Sequence, residues 1–227
     1  MKPRLAVGPA TLFATLILAL GQPAIAQSSC SSDGQPAFQA IRDRFISADC
    51  ESCWSNPQTA PPGPQAIALD WILPGALGDD APLSAAARPE GLERMQARQQ
   101  AATTTATPAP LQTPPQLRVA RGPLLSGYVG TSIALLPADT PTGPLTAWLV
   151  LVESIPAGED GTPITRNLVR NALVLDWSAT VSGRQELRAM SVPQGAKPER
   201  LQVVGWVEDA GGHALAAVQS RCVAEVE

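Results

Sequence analysis

The stretch Phe45-Ile46-Ser47-Ala48-Asp49-Cys50-Glu51-Ser52-Cys53-Trp54 decides how the chain is interpreted. The residues from 38 to 47 place Ile41, Asp43 and Phe45 on one face, against two arginines and an isoleucine on the other. This alternation is typical of a β-strand with one drier face. A Cys-x-x-Cys pair follows directly at the end of that strand. The sequence therefore predicts a strand that delivers two closely spaced cysteines to the edge of a sheet.

The segment after the pair is rich in proline. Ser55–Pro64 contains four prolines, which exclude all but about one turn of helix after the cysteines. Gln65–Leu73 is a short apolar run that predicts a buried strand. Pro89 is expected to open a helix with Leu92, Met95 and Ala97 facing inward. Residues 101–116, low in complexity, predict a flexible connection.

Beyond residue 116 the pattern has a period of two. Turn clusters separate the apolar runs, a spacing that indicates an antiparallel β sandwich. The expected strands are Leu117–Ala120, Thr131–Leu136, Leu145–Glu153, Leu168–Trp177, Gln185–Val192, Leu201–Glu208 and Ala214–Cys222.

The first residues carry the features of an export signal. Lys2 and Arg4 precede an apolar run too short to span a bilayer, and Ala24-Ile25-Ala26 fits a signal-peptidase site. Removing residues 1–26 leaves 14 basic and 20 acidic residues, so the net charge moves from −4 to −6. We expect a periplasmic or secreted protein without membrane insertion after cleavage. The acidic balance argues against nucleic acid as a partner.

The four cysteines allow three pairings, and loop-closure entropy separates them. A Cys30–Cys222 bond ties the ends of the mature chain, worth roughly 5 kcal/mol in the chain-entropy model. A Cys50–Cys53 bond closes a small ring worth at most about 2 kcal/mol. We therefore expect Cys30–Cys222 to be a structural disulfide and Cys50/Cys53 to be the candidate site.

Four short motifs, in order, resemble a family of secreted, thioredoxin-like proteins of unknown function from Gram-negative bacteria. The family has a strand ending in Phe/Tyr-Thr-Ser before Cys-x-x-Cys, as in residues 45–53 here. An apolar strand with Asp-x-Trp resembles Ala68-Leu-Asp-Trp71, and a Leu-Gly…Asp-Pro stretch before a helix resembles Leu77–Ser84. In the β-rich half, Asn167-Leu-Val-Arg170 is similar to the family's Asn-Val-Val-Arg, with Trp177 further on.

The resemblance implies an α/β fold: a reduced thioredoxin-like N-terminal part over residues 27–116, then an antiparallel β-rich, sandwich-like part over residues 117–227. It also implies a cis-proline opposite the cysteines, at either Thr113-Pro114 or Pro115. The chain departs from the family by lacking Pro-Pro after the second cysteine and by replacing much of the following helix with its proline-rich segment.

Two functions stay open at this point. In the first, Cys50 attacks and Cys53 resolves in thiol–disulfide exchange with an envelope protein. In the second, the chain is a non-enzymatic binding or structural module that retains a relic disulfide. Asp49 and Glu51 favour the second, because two close carboxylates are expected to raise the pKa of the Cys50 thiol.

Other sites are weaker candidates. His213, the only histidine in the sequence, follows Gly-Gly and is interpreted as a turn residue, which argues against a Ser-His-Asp hydrolase and leaves it a third choice behind the two functions above. Asp79 and Asp80 are interpreted as helix caps rather than as metal ligands. We expect no cofactor and no metal, and the sequence does not specify the oligomeric state.

Overall fold

The computed structural model describes residues 30–103, 116–136, 143–177 and 184–222. The expected signal peptide (1–26) and the proposed cis-proline (Pro114 or Pro115) lie outside these ranges. Two helices occur in the described part of the chain, α1 (Glu51–Trp54) and α2 (Glu90–Thr103). The strands are β1 (Cys30–Ser31), β2 (Ala40–Ser47), β3 (Ala66–Leu73), β4 (Leu117–Leu125), β5 (Tyr128–Leu135), β6 (Leu145–Ile155), β7 (Arg166–Trp177), β8 (Gln185–Ser191), β9 (Leu201–Glu208), β10 (Ala214–Gln219) and β11 (Arg221–Cys222).

The prediction of an α/β fold with a thioredoxin-like N-terminal part is wrong. Strands make up 50% of the structure and helices 14%, so the molecule is mostly β-sheet, with its two sheets forming a curled half-barrel. The proline-rich segment ends α1 after one turn, because proline removes a helical donor and clashes with the preceding turn. The coarser expectation of two packed sheets and disulfide bonds is confirmed.

The larger sheet combines strands from both sides of residue 116. Its order is β10-β9-β6-β7-β3-β2, with β2 parallel to β3 and β3 parallel to β7, while the other pairs are antiparallel. The second sheet has the order β11-β1-β4-β5-β8 and is antiparallel throughout. β2 and β3, the strands nearest to Cys50 and Cys53, therefore share one sheet with four strands that follow residue 116, namely β6, β7, β9 and β10.

The main core lies between the two sheets. Val119 and Ile133 of the smaller sheet pack with Leu149 and Val203 of the larger one, and all four are fully buried. The sheets approach closely at Gly205, where an added Cβ would lie 2.4 Å from a methyl group of Val119. This aliphatic core follows from a composition with only 4% aromatic residues.

Helix α2 packs on the opposite face of the larger sheet. Gly91 faces β3 so closely that a Cβ would lie 2.7 Å from Leu73 Cδ2. The inward residue one turn later is Arg94, which is 1% exposed, whereas Leu92 is 37% exposed. The expectation that Leu92 faces inward is therefore wrong, because the contact surface of this helix is centred on a buried cation.

A disulfide joins Cys30 in β1 to Cys222 in β11 with an S–S distance of 2.08 Å. The two residues face each other directly in the register of the antiparallel β1–β11 pair. The bond spans a sequence separation of 192 residues and thus links both ends of the described chain.

Candidate functional site

The site lies at the carboxyl end of β2, where Cys50 and Cys53 form a disulfide with an S–S distance of 1.97 Å. Cys50 immediately precedes α1, and Cys53 is the third residue of this helix. The Cys53 amide donates a hydrogen bond to the Cys50 carbonyl at 3.1 Å. Cys53 is exposed and Cys50 is partly buried. The ring therefore faces solvent on a single helical turn.

Asp49 anchors the neighbouring segment rather than only flanking the cysteines. Its carboxylate accepts hydrogen bonds from the amides of Ala76 (2.7 Å) and Leu77 (3.2 Å). Gly75 leaves the required space, since an added Cβ would lie 2.1 Å from Asp49 Oδ1. The loop after β3 is thereby fixed beside the disulfide.

Trp54 forms the buried base of the turn and is 6% exposed. Its Nε1 donates to the carbonyl of Asp160 at 2.9 Å, so the loop after β6 closes over the indole. The Asp160 carboxylate binds Lys197 (2.8 Å) and Arg200 (2.9 Å). The hydrogen bond from Lys197, more than any other contact, lowers the pKa of Asp160.

A buried ion pair lies directly behind Trp54. Arg166 of β7 has a fully buried side chain and contacts Asp70 Oδ1 of β3 at 2.7 Å. Its Nη2 donates to the carbonyl of Trp54 at 2.6 Å and to that of Cys53 at 3.3 Å. The guanidinium also lies 4.6 Å from the centre of the Trp54 ring. One cation therefore holds the carboxyl end of the cysteine turn.

Asp70 is the partner that makes this cation tolerable inside the protein. The carboxylate also accepts from the Asn167 amide at 3.2 Å, and Arg44 lies 3.5 Å away. Burial raises the pKa of Asp70, and the nearby Arg166 and Arg44 counteract that effect. The 2.7 Å contact to Arg166 is the distance expected for a buried carboxylate in an ion pair.

The two arginines of β2 hold the proline-rich segment. Arg42 Nε donates to the Pro62 carbonyl at 3.1 Å, and Arg44 Nη2 donates to the Ala60 carbonyl at 2.6 Å. These two side chains therefore hold the proline-rich segment against β2.

A second polar cluster anchors α2. Arg94 contacts Asp43 (2.9 Å) and Glu208 (2.7 Å) and lies 4.9 Å from the ring centres of both Trp148 and Trp206. The two indoles are stacked at 5.4 Å. A cavity of about 530 Å³ opens beside this cluster, between α2 and the turn after β9.

The remaining candidates have structural positions. His213 lies in the turn between β9 and β10, with Nδ1 3.1 Å from an Asp209 oxygen. Asp79 and Asp80 are exposed in a short 3-10 turn (Gly78–Asp80), and neither caps α2, which begins at Glu90. Within the described residues, no group of three or more His, Cys, Asp or Glu side chains is arranged to hold a metal ion.

Sequence reasoning missed Arg166 and Asp70 as parts of the site. A signal was present, because Asp70 is the single charge in the apolar run of β3 and a buried carboxylate needs a cation. The identity of that cation was not visible, since Arg166 lies 96 residues further along the chain.

No known protein-family model matches the chain, and no curated protein matches it significantly. In the described part of the chain, none of the helices combines the length and the apolar character needed to cross a membrane.

Proposed function

We propose that the protein is an exported thiol–disulfide protein whose Cys50–Cys53 pair exchanges with a cysteine-containing partner in the cell envelope. The observation that carries the proposal is a solvent-facing disulfide on a turn that is held in place by contacts independent of the sulfur atoms. Export is supported by the first 26 residues, in which Lys2 and Arg4 precede a short apolar run and a signal-peptidase motif.

The scaffold of the turn does not depend on the disulfide. The Cys50 amide donates to the Ser47 carbonyl at 3.0 Å, Asp49 holds the adjacent loop, and Arg166 holds the carbonyls of Cys53 and Trp54. A bond between residues three positions apart removes little chain entropy, at most about 2 kcal/mol. Reduction is therefore expected to leave the two thiols close together and ready to form the bond again.

The proposed reaction is a two-electron exchange. In one direction, a thiolate of the reduced pair attacks a partner disulfide, forms a mixed disulfide and releases the first partner thiolate. The other cysteine then attacks the mixed disulfide, closes the Cys50–Cys53 bond and releases the second partner thiolate. The partner gains two electrons and the protein loses two.

The test is the reduction potential of the Cys50–Cys53 pair together with insulin-reduction activity. The potential is measured against glutathione redox buffers, with peptide mass mapping to keep Cys50–Cys53 distinct from Cys30–Cys222. We expect a potential above about −300 mV and turnover that the Cys50→Ser/Cys53→Ser double variant lacks. A potential below that value combined with no turnover would refute the proposal.

A second candidate is a binding module whose β face engages an envelope protein. Leu125, Tyr128 and Leu187 are 68%, 54% and 71% exposed, and their register places them on the outer face of the smaller sheet. Exposed apolar side chains that share a face are typical of interaction surfaces. Under this alternative, the double cysteine variant keeps its partner binding, whereas Leu187→Lys loses it.

A further inference from the structure

The two cysteines of the candidate site differ in their surroundings. We propose that Cys53, rather than Cys50, is the attacking cysteine, and that Arg166, anchored by Asp70, is the positioning residue that favours its thiolate. This inference rests on the proposed exchange function and reverses the order of attack expected from the sequence. It stands on two observations, the exposure of each cysteine and the position of the buried guanidinium.

Exposure favours Cys53 as the point of entry. Cys53 is exposed, whereas Cys50 is partly buried beside the Asp49 anchor. Exchange needs an approach of three sulfur atoms along one line, so access decides which sulfur a partner reaches. A partner therefore meets Cys53 first in either direction of the reaction.

The Arg166 guanidinium contacts the backbone of Cys53 directly. Arg166 Nη2 donates to the Cys53 carbonyl at 3.3 Å and to the Trp54 carbonyl at 2.6 Å. Its Nε donates to Thr162 Oγ1 at 2.9 Å, and Nη1 pairs with Asp70. Each of the three guanidinium nitrogens thus has a hydrogen-bond acceptor, which fixes the orientation of the group.

The other charges around the ring are unequally placed. The carboxylate of Asp49 belongs to the residue preceding Cys50, and that of Glu51 follows it, exposed to solvent. Arg44 faces Asp70 from β2, and Asp160 faces Trp54 while paired with Lys197. Cys50 therefore has a carboxylate on each side in sequence, whereas the backbone carbonyl of Cys53 accepts a hydrogen bond from a buried cation.

This arrangement makes a chemical difference between the two thiols. A nearby cation stabilises a thiolate, and a thiolate is the species that attacks a disulfide. In the reduced protein, Cys53 Sγ loses its proton to water, attacks a partner disulfide and forms the mixed disulfide. Cys50 Sγ then attacks Cys53 Sγ, restores the Cys50–Cys53 bond and releases the partner thiolate.

The first experiment compares single-cysteine variants. Reduced Cys50→Ser and Cys53→Ser proteins are exposed to oxidised glutathione, and the mixed disulfide is followed by peptide mass mapping. We expect Cys50→Ser, which retains Cys53, to form the mixed disulfide at least about tenfold faster at pH 7. Equal rates, or a faster reaction at Cys50, would overturn the assignment.

The second experiment tests the positioning role of Arg166. Arg166→Met/Asp70→Asn removes both charges together, so no buried carboxylate is left unpaired. In the Cys50→Ser background, we expect the pH profile of iodoacetamide alkylation at Cys53 to shift upward by about one pH unit. In the protein with both cysteines, that tenfold change lowers the reduction potential by up to about 30 mV, a limit reached where the pH exceeds the pKa of the Cys53 thiol. Arg166→Lys keeps the charge and should recover most of both shifts.

Arg94→Met/Asp43→Asn is the matched control for Arg166→Met/Asp70→Asn. Arg94 is equally buried and likewise pairs with an aspartate beside a tryptophan, but on the opposite face of the sheet. This control variant should lower stability without moving the alkylation profile at Cys53. If Arg94→Met/Asp43→Asn moves that profile as far as Arg166→Met/Asp70→Asn does, the effect is structural and the inference fails. If the Cys50–Cys53 disulfide can be reduced but the alkylation profile of Cys53 does not respond to the Arg166 variant, the inference alone is overturned. If the disulfide cannot be reduced, the proposed function is refuted.

Discussion

Replacing Arg94 by methionine should lower the free energy of unfolding by about 3–5 kcal/mol, the usual range for a broken buried ion pair. Arg94 is 1% exposed and its two partners, Asp43 and Glu208, have side chains that are 2% and 6% exposed. The variant therefore leaves Glu208 without its buried cation and leaves Asp43 only the half-exposed Arg98 at 3.5 Å. Methionine fills similar apolar volume, so most of the expected loss is electrostatic rather than a cavity effect.

The indole groups of the cluster reduce the loss without removing it. Trp71 Nε1 donates to Asp43 at 2.8 Å, and Trp206 Nε1 donates to Glu208 at 3.0 Å. These donors satisfy hydrogen-bonding capacity but carry no charge. The penalty of an unpaired buried carboxylate therefore persists in Arg94→Met.

The assay is urea denaturation at pH 7 followed by tryptophan fluorescence. Trp148 and Trp206 lie within 4.9 Å of the Arg94 guanidinium, so the emission reports directly on this cluster. Arg98→Met is the control: Arg98 is 42% exposed and lies 3.5 Å from Asp43, which predicts a loss below about 1 kcal/mol. If Arg94→Met and Arg98→Met unfold within 1 kcal/mol of each other, the electrostatic argument is refuted.

Three further predictions follow from the described contacts. Cys30→Ser should destabilise the protein by about 5 kcal/mol, because the Cys30–Cys222 bond closes a separation of 192 residues. Thermal unfolding measures the loss, and a decrease in melting temperature no larger than that of the Cys50→Ser/Cys53→Ser variant would contradict the prediction. Gly205→Ala should cost about 1–3 kcal/mol through overpacking at 2.4 Å from the facing sheet, whereas Gly130→Ala, with no atom within 4 Å, should be near neutral in the same assay. Lys197 lowers the pKa of Asp160, so the ionised carboxylate contributes stability above its unfolded pKa of about 4, and this stability is lost as the pH falls through the lower folded pKa. Asp160→Asn should therefore make the free energy of unfolding depend less on pH in this acid range, and an unchanged pH dependence would exclude the contribution.

The strands were predictable because their signals are local. Six of the seven strands expected after residue 116 occur as single strands, and the seventh, Ala214–Cys222, is divided between β10 and β11 of different sheets. Runs such as Leu145–Ile155 and Leu201–Glu208 were recognisable because they are short, mostly apolar and bounded by turn residues. The strand before Cys50 and the buried run at Ala66–Leu73 were also found where the pattern placed them. What the pattern could not supply was how these strands are shared between sheets.

The thioredoxin-like prediction failed for a physical reason that was visible in the chain. Two parallel strands with a Cys-x-x-Cys between them do occur, as β2 and β3 pair in parallel over eight residues. A thioredoxin-like part also needs helices that cover the sheet, and the proline-rich segment after Trp54 limits α1 to four residues. The prediction relied on the order of the short motifs, although the proline-rich segment already argued against the helix that a thioredoxin-like part needs after its cysteines. The low helix content of the structure, 14%, excludes that fold.

The ion pairs of the site could not be predicted from local patterns. Arg94 is separated from Asp43 by 51 residues and from Glu208 by 114, and Arg166 is separated from Asp70 by 96. Each arginine occurs in a stretch where periodicity alone expects a surface charge or an apolar residue. Tertiary pairing overrides that expectation, because a buried carboxylate on a central strand is stable only with a cation brought to it.

Arg94 and Arg166, two of the buried arginines, explain how a small β-rich protein holds its helices. Each packs against tryptophan rings and pairs with an aspartate of a parallel strand, Arg94 with Asp43 of β2 and Arg166 with Asp70 of β3. Because side chains alternate along a strand, Asp70 faces away from its neighbour Trp71, so the two clusters lie on opposite faces of one sheet. Arg94 fixes α2, and Arg166 fixes the cysteine turn. These contacts hold the turn through its backbone and the Trp54 ring rather than through its sulfur atoms, and the proposed exchange at Cys50–Cys53 rests on them.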